Sequence, residues 1–132
     1  MVSLPYHEFL HLWALRALGG DGYIKTTEMF FECVATSPPS NPLIVSMIGG
    51  IGCGLTYLLL AFLSHRNKSP ENYAALMSIA FLQIFYGIFE TIYIGKIPPR
   101  VYEVWSERIG LIGAVVGLWL SNYLKKSNHP SF

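Results

Sequence analysis

Three long runs without a formally charged side chain constrain this sequence more than any other feature. They cover positions 41–64, 72–89 and 109–124 and are 24, 18 and 16 residues long. A helix rises about 1.5 Å per residue, so helices of these lengths span or nearly span a hydrocarbon core about 30 Å thick. The sequence therefore predicts an all-α fold, a multi-pass transmembrane helical bundle.

The composition agrees with a membrane protein and argues against a nucleic-acid partner. Charged residues make up 13% of the chain, against roughly 25% in an average soluble domain. The formal net charge is +1 and the sequence has no basic run of the kind that binds nucleic acid. We expect the lipid bilayer to be the main partner.

Four regions are predicted along the chain. Residues 1–35 form an amphipathic N-terminal segment, in which 6–18 has helical spacing and Tyr23 to Val34 is expected to form a second short helix. We expect this segment to lie on the membrane surface, with a shortened fourth span as the alternative. The other regions are a proline-rich linker at 36–41, the transmembrane bundle at 42–126 with spans at about 42–64, 72–95 and 106–124, and a tail at 127–132.

Two span boundaries have clear signals. Asn41 followed by Pro42 is typical of an N-cap and a first helical position. Gly95, followed closely by Pro98 and Pro99, predicts the end of the second span.

Small residues recur every four positions in the first and third spans. Such rows leave a groove along one helix face, and another helix backbone can approach closely there. We expect two helix-packing faces that act within the chain, in self-association or in binding other membrane proteins. Their residues are Ser46, Gly50 and Gly54 in the first span, and Gly113, Gly117 and Ser121 in the third.

Glu90 is an ionisable residue inside the predicted second span. It shares one helical stripe with Gln83, Tyr86 and Tyr93, and a polar stripe in a span should face protein rather than lipid. One interpretation is a structural hydrogen bond to Tyr86 or Tyr93, and another is a contact with a second protein. The third is catalytic, with Glu90 as a general acid assisted by Tyr86 or Tyr93.

The N-terminal segment contains the pattern His-Glu-x-x-His. On a helix, His7 and His11 would face the same way and could bind zinc, and Glu8 could act as general base on a bound water. Glu28 or Glu32 could supply a third ligand. Because the pattern lies near the N-terminus, without an evident substrate cleft, we expect an interfacial helix with two exposed imidazoles and no cofactor.

From His65 to Leu124 the sequence resembles a family of small sterol-synthesis scaffold proteins, ergosterol biosynthetic protein 28. The shared features are an Asn67-Lys68 turn, a span that ends at Glu90, the following Gly95 and Pro99, and Val116-Gly117-Leu118 in the last span. The chain is equally similar to small DoxX-like multi-pass membrane proteins. The first resemblance implies a non-catalytic tether in the endoplasmic reticulum that gathers membrane-bound enzymes of lipid metabolism.

These observations lead to a preferred function and two alternatives. We expect a non-catalytic accessory or scaffold protein that binds other membrane proteins, among them enzymes of lipid, sterol or terpenoid synthesis. The first alternative is a membrane-embedded isomerase, cyclase or oxygenase that acts on a lipophilic substrate with Glu90 as acid or base. The second is a subunit of a channel or transporter.

Overall fold

A computed structural model describes residues 5–26, 31–66 and 70–127 of the chain. Helix α1 covers Pro5–Ala17 and is followed by strands β1, Asp21–Thr26, and β2, Phe31–Ser37. Three long helices complete the fold, namely α2 at Pro42–Arg66, α3 at Pro70–Tyr93 and α4 at Pro99–Ser127. The predicted tail beyond residue 127 lies outside the described residues.

The predicted transmembrane bundle is confirmed. Within the described ranges, α2, α3 and α4 are the three helices long and apolar enough to cross a membrane. Large apolar side chains on their outer faces, such as Leu55, Leu111 and Val115, are more than half exposed. In an integral membrane protein such faces contact lipid, so these apolar side chains can remain exposed on the surface of the protein.

The span boundaries follow the capping signals, with one correction. The Asn41 side chain accepts a hydrogen bond from the Ile44 N–H at 3.3 Å, so the predicted N-cap is confirmed. Gly95 follows the end of α3 with φ of 71°, the left-handed conformation that glycine adopts without strain. The third span was predicted to begin near residue 106, which is wrong, because α4 already begins at Pro99. A proline suits the first helical turn, where its missing N–H is not needed.

Helix α3 is the centre of the bundle and packs against both α2 and α4. The glycines of the two predicted packing faces lie at these contacts. A Cβ on Gly50 would overlap the backbone of Gly87, and a Cβ on Gly117 would overlap the Met77 carbonyl. Gly54 and Gly113 are similarly close to α3, and Ser121 is fully buried, whereas Ser46 is half-buried and lines a cavity. The glycine faces therefore act inside this chain.

The prediction of a helix between Tyr23 and Val34 is wrong. β1 and β2 form an antiparallel hairpin in which Ile24 lies opposite Cys33 and Lys25 lies opposite Glu32. Aromatic and β-branched residues are frequent in both segments, and they favour extended backbone. Residues 27–30, between the strands, lie outside the described residues.

Helix α1 differs from the expected interfacial helix in the face that it buries. Its buried residues are His7, Glu8, His11, Ala14 and Leu15, whereas the large apolar side chain of Trp13 is 57% exposed. The expectation of two exposed imidazoles is therefore wrong. At 13 residues, or about 20 Å, α1 is also too short for the alternative of a fourth span.

Candidate metal centre

Helix α1 presents both imidazoles of the His-Glu-x-x-His pattern to the membrane helices. Residues four apart lie on one helix face, and His7 and His11 are only 3% and 7% exposed. A turn of π-helix at Ile48–Gly52 in α2 receives the ring of His11. A Cβ on Gly49, within that turn, would overlap this ring, so the close approach of α1 requires a glycine there.

Three side chains converge at this point, two from α1 and one from α3. The Nε2 atoms of His7 and His11 are 2.9 Å apart. Glu90 lies with Oε1 3.5 Å from Nε2 of His11 and Oε2 3.7 Å from Nε2 of His7. Ligands of a tetrahedral zinc ion, each about 2.0 to 2.2 Å from the metal, are separated by about 3.3 Å. The three residues thus have the spacing of a metal-binding set.

Partners on the opposite ring edges hold both rings with their Nε2 atoms directed toward each other and toward Glu90. His7 Nδ1 donates a hydrogen bond to Gln83 Oε1 at 2.8 Å, and His11 Nδ1 donates to the Val45 carbonyl at 2.9 Å. With the ring proton on Nδ1, each neutral imidazole carries a lone pair on Nε2. Such hydrogen bonds orient metal-binding histidines in the same way.

The Glu90 carboxylate adds a third hydrogen-bond acceptor to the two imidazole nitrogens of the site. It is 7% exposed, and its Oε2 makes no hydrogen bond within the described part of the chain. Two imidazole lone pairs and a buried carboxylate facing one another are unfavourable unless a proton or metal ion lies among them. A divalent cation satisfies all three groups at once.

The electrostatic environment of His11 also favours positive charge. Burial of the ring lowers the pKa of His11, but the hydrogen bond and charge of Glu90, the charge of Glu8 and the Val45 carbonyl outweigh it. The pKa of His11 is consequently raised above its usual value of 6.5. The same field attracts a bound cation.

Glu8 lies beside the three converging residues and is held by the hairpin. Its Oε2 accepts a hydrogen bond from the Cys33 N–H at 2.7 Å, while its Oε1 is 3.9 Å from Nε2 of His7. Strand β2 therefore fixes one carboxylate oxygen and leaves the other directed toward the site. A base that acts on a metal-bound water would take this position, whereas Glu8 is not among the three residues with the spacing of ligands.

A cavity of about 690 Å³ opens onto the cluster. Its walls come from α1, β2, the first turns of α2 and α4, and the last turns of α3. The cluster therefore lies near one end of the spans, where a cavity between the hairpin and the bundle admits water. Carboxylates on its wall include Glu32, Glu103 and Glu107.

The remaining residues singled out in the sequence are divided between this cavity and other places. Tyr86 lines the cavity, and its ring packs edge-on against His7 at 5.4 Å. Tyr93 is 41% exposed and packs on Phe89, so it does not join Glu90 as expected. Glu32 is exposed on β2 and is not among the three converging residues, and Glu28 lies outside the described residues.

Several contributors were missed by the sequence analysis. The sequence predicted that Glu90 faces protein and that His7 and His11 share a helix face, but it was not predicted that these residues contact one another. A signal for this contact was available, since a membrane-embedded acid needs a cationic or polar partner, and the imidazoles of the His-Glu-x-x-His pattern are such partners. The roles of Gln83, Gly49 and the Val45 carbonyl depend on how α1 packs, which no local pattern reveals.

Comparison of the chain with protein families, with curated proteins and with solved structures finds no match. The resemblance to the sterol-synthesis scaffold family and to DoxX-like proteins is not tested by this result and stays a prediction.

Proposed function

We propose that this protein is a membrane-embedded, zinc-dependent hydrolase that cleaves a peptide bond. The observation that carries the proposal is the convergence of His7, His11 and Glu90 in the structure, with Glu8 beside them. Two imidazoles and one glutamate, with a fourth position open to water, are a ligand set of catalytic zinc in peptidases. The proposal replaces the expectation of a protein without a cofactor.

The residues of this chain have distinct tasks in the proposed reaction. His7, His11 and Glu90 would hold the ion, which polarises the substrate carbonyl and lowers the pKa of a bound water. Gln83 and the Val45 carbonyl would keep both rings in the binding orientation. The hydrogen bond from the Cys33 N–H would keep Glu8 pointed at the water.

Glu8 serves as the proton carrier. Its carboxylate takes a proton from the water, whose oxygen forms a bond to the carbonyl carbon of the substrate. The carbonyl π electrons move to the carbonyl oxygen and give a tetrahedral intermediate. When the intermediate collapses, the C–N bond breaks, its electron pair stays on nitrogen, and Glu8 returns the proton to that nitrogen. One water is consumed, and one carboxylic acid and one amine are formed.

The place of the cavity supports a membrane-associated polypeptide as substrate. The site lies between a hairpin outside the spans and the ends of α2, α3 and α4. A polypeptide that enters or leaves the bilayer beside the bundle can reach it without crossing the protein. The endoplasmic reticulum stays a prediction.

The same ligand set favours one second candidate, an iron-dependent oxygenase. Two histidines and a carboxylate with open positions also hold non-haem iron, and an oxygenase was among the alternatives from the sequence. Glu8 favours the hydrolase, because a general base beside the metal is needed for attack by water. The scaffold and channel hypotheses stay predictions. The glycine faces that the scaffold hypothesis uses to bind other proteins are instead packed against α3 of the same chain.

Metal analysis of the purified protein tests the proposal first. We expect one zinc ion per chain in mild detergent, and loss of that zinc in His7→Gln, His11→Gln and Glu90→Gln. His65→Gln and Glu103→Gln are matched controls, since His65 is exposed and packs against Tyr73 and Glu103 lines the cavity outside the ligand set. Zinc binding that is equal in all five variants, or iron in place of zinc, would contradict the hydrolase.

Hydrolysis is tested separately from metal binding. The zinc-loaded protein in proteoliposomes is incubated with a pool of synthetic peptides in ¹⁸O-labelled water, and new carboxyl termini are detected by mass spectrometry. Glu8→Gln should keep its zinc and lose about 100-fold or more of the labelled product, as expected for a general base. Equal product from Glu8→Gln and the parent protein would refute the role of Glu8.

A further inference from the structure

We infer that Tyr102 is a catalytic residue of this site, whose hydroxyl donates a hydrogen bond to the oxyanion formed from the substrate carbonyl. The inference rests on the proposed hydrolase function and adds a residue that the His-Glu-x-x-His pattern does not contain. Tyr102 stands on α4, a helix that contributes none of the three converging residues.

The first observation is an unused donor. The Tyr102 hydroxyl oxygen is buried, and its proton has no acceptor within the described residues, because in its contact with the Tyr86 hydroxyl Tyr86 is the donor. Burying a hydroxyl without a partner is unfavourable by about 1 to 3 kcal/mol, so such a group needs an explanation. A partner that is present only when substrate occupies the cavity supplies one.

The second observation is the place of this hydroxyl. Tyr102 lines the same cavity as His7, His11 and Glu90, and its polar neighbours are the Glu90 carboxylate and the Tyr86 hydroxyl. Its ring packs on Phe89, with centroids 5.6 Å apart. This contact helps to hold the Tyr102 ring in place before any substrate binds.

The chemistry explains why a donor is useful at this position. Attack of water places negative charge on the former carbonyl oxygen, and a preorganised donor that meets this oxygen stabilises the transition state more than the ground state. Glu8 carries a proton at this stage but must deliver it to the leaving nitrogen, and the three ligands can only accept hydrogen bonds or bind the metal. A neutral tyrosine hydroxyl supplies the missing proton donor without adding a second cation to the site.

Tyr102→Phe separates this role from a structural one. The change removes a hydroxyl whose proton has no acceptor among the described residues, so thermal stability in detergent should stay the same or increase. Zinc content should also be unchanged. Tyr93→Phe is a matched control, because Tyr93 packs on the same Phe89 ring but is exposed and lies outside the cavity.

The decisive measurement uses a phosphoryl dipeptide, N-phosphoryl-Leu-Phe, as a stable mimic of the tetrahedral intermediate. Its Kd for the zinc-loaded protein is measured by calorimetry. The loss of one hydrogen bond to a charged oxygen predicts binding about 10- to 100-fold weaker in Tyr102→Phe, and unchanged binding in Tyr93→Phe. With a peptide identified by ¹⁸O labelling, kcat should fall by a similar factor while KM changes little.

The possible outcomes distinguish this inference from the proposed function. Zinc bound normally, with equal Kd for the phosphoryl dipeptide in the parent protein and Tyr102→Phe, overturns the role of Tyr102 and leaves the hydrolase standing. Absence of zinc from the parent protein overturns both. If Tyr102→Phe is clearly less stable, the hydroxyl has a structural partner and the inference fails. Tyr102→Leu, which also lacks the donor, must weaken binding of the dipeptide at least as much.

Discussion

Gly49 shows how much the candidate site depends on a single absent side chain. The imidazole of His11 occupies the volume that a Cβ at this position would fill. The π turn at Ile48–Gly52 brings this glycine toward α1, and insertions of this kind are often found at functional sites. The approach of α1 to the bundle, and with it the position of one proposed metal ligand, therefore depends on a residue that has no side chain.

Gly49→Ala should reduce zinc affinity by about 10-fold or more, because the added methyl group displaces His11 from Glu90, and core overpacking typically costs about 1 to 3 kcal/mol. The Kd for zinc is measured by competition with a chromogenic chelator. Gly52→Ala is the control in the same turn, since its Cβ would meet its nearest atoms at an ordinary 3.7 Å. Equal zinc affinity in the two variants would show that His11 does not need this space.

At the scale of elements, one link between α1 and the hairpin is the hydrogen bond from the Cys33 N–H to Glu8. Thiol reactivity can report on it, since burial first, and then the charge of Glu8, raises the pKa of Cys33 above the usual 9.0. A thiol reacts as its thiolate. A raised pKa therefore means less thiolate at neutral pH.

In metal-free protein carrying Cys53→Ala, alkylation of Cys33 by iodoacetamide should be slow at pH 8 and should still be accelerating above pH 9. Adding Glu8→Gln removes a negative charge next to the thiol, so the rate profile should shift to lower pH. Glu32→Gln should have a smaller effect, because its charge contributes less to the raised pKa of Cys33. A profile unchanged by Glu8→Gln would mean that the hairpin does not rest on α1 in the membrane-embedded protein.

The elements differ in how far the sequence predicts them. The spans were predictable, because a long run without charge has few alternatives in lipid, and capping residues such as Asn41 and Gly95 marked their ends. The hairpin was not, since its short segments fit helical spacing and alternation about equally, and only the aromatic and β-branched residues favoured strands. The buried face of α1 was misjudged because an amphipathic pattern is normally assigned by its apolar side. Here the buried side is rich in imidazole and carboxylate.

At the scale of the whole molecule, bound zinc should connect helix α1 to the membrane bundle, because its proposed ligands come from α1 and α3. Zinc at 1,000 times its Kd should stabilise the folded protein by about 4 kcal/mol, and a chelator should remove this increment. The measurement is thermal unfolding in detergent with zinc and with a chelator. Glu90→Gln should unfold at the same temperature in both conditions, and a zinc-dependent shift of parental size in this variant would place the ion elsewhere.

The origin of the three converging residues has a consequence for biogenesis. Both imidazoles belong to the N-terminal helix, while the carboxylate arrives much later in the chain on a helix that must first be inserted in the bilayer. If these residues form the proposed zinc centre, a nascent chain would hold an incomplete and inert centre until membrane integration is finished. Activity in such a protein would begin only as the last act of assembly, which protects the translocating chain and its neighbours from premature cleavage.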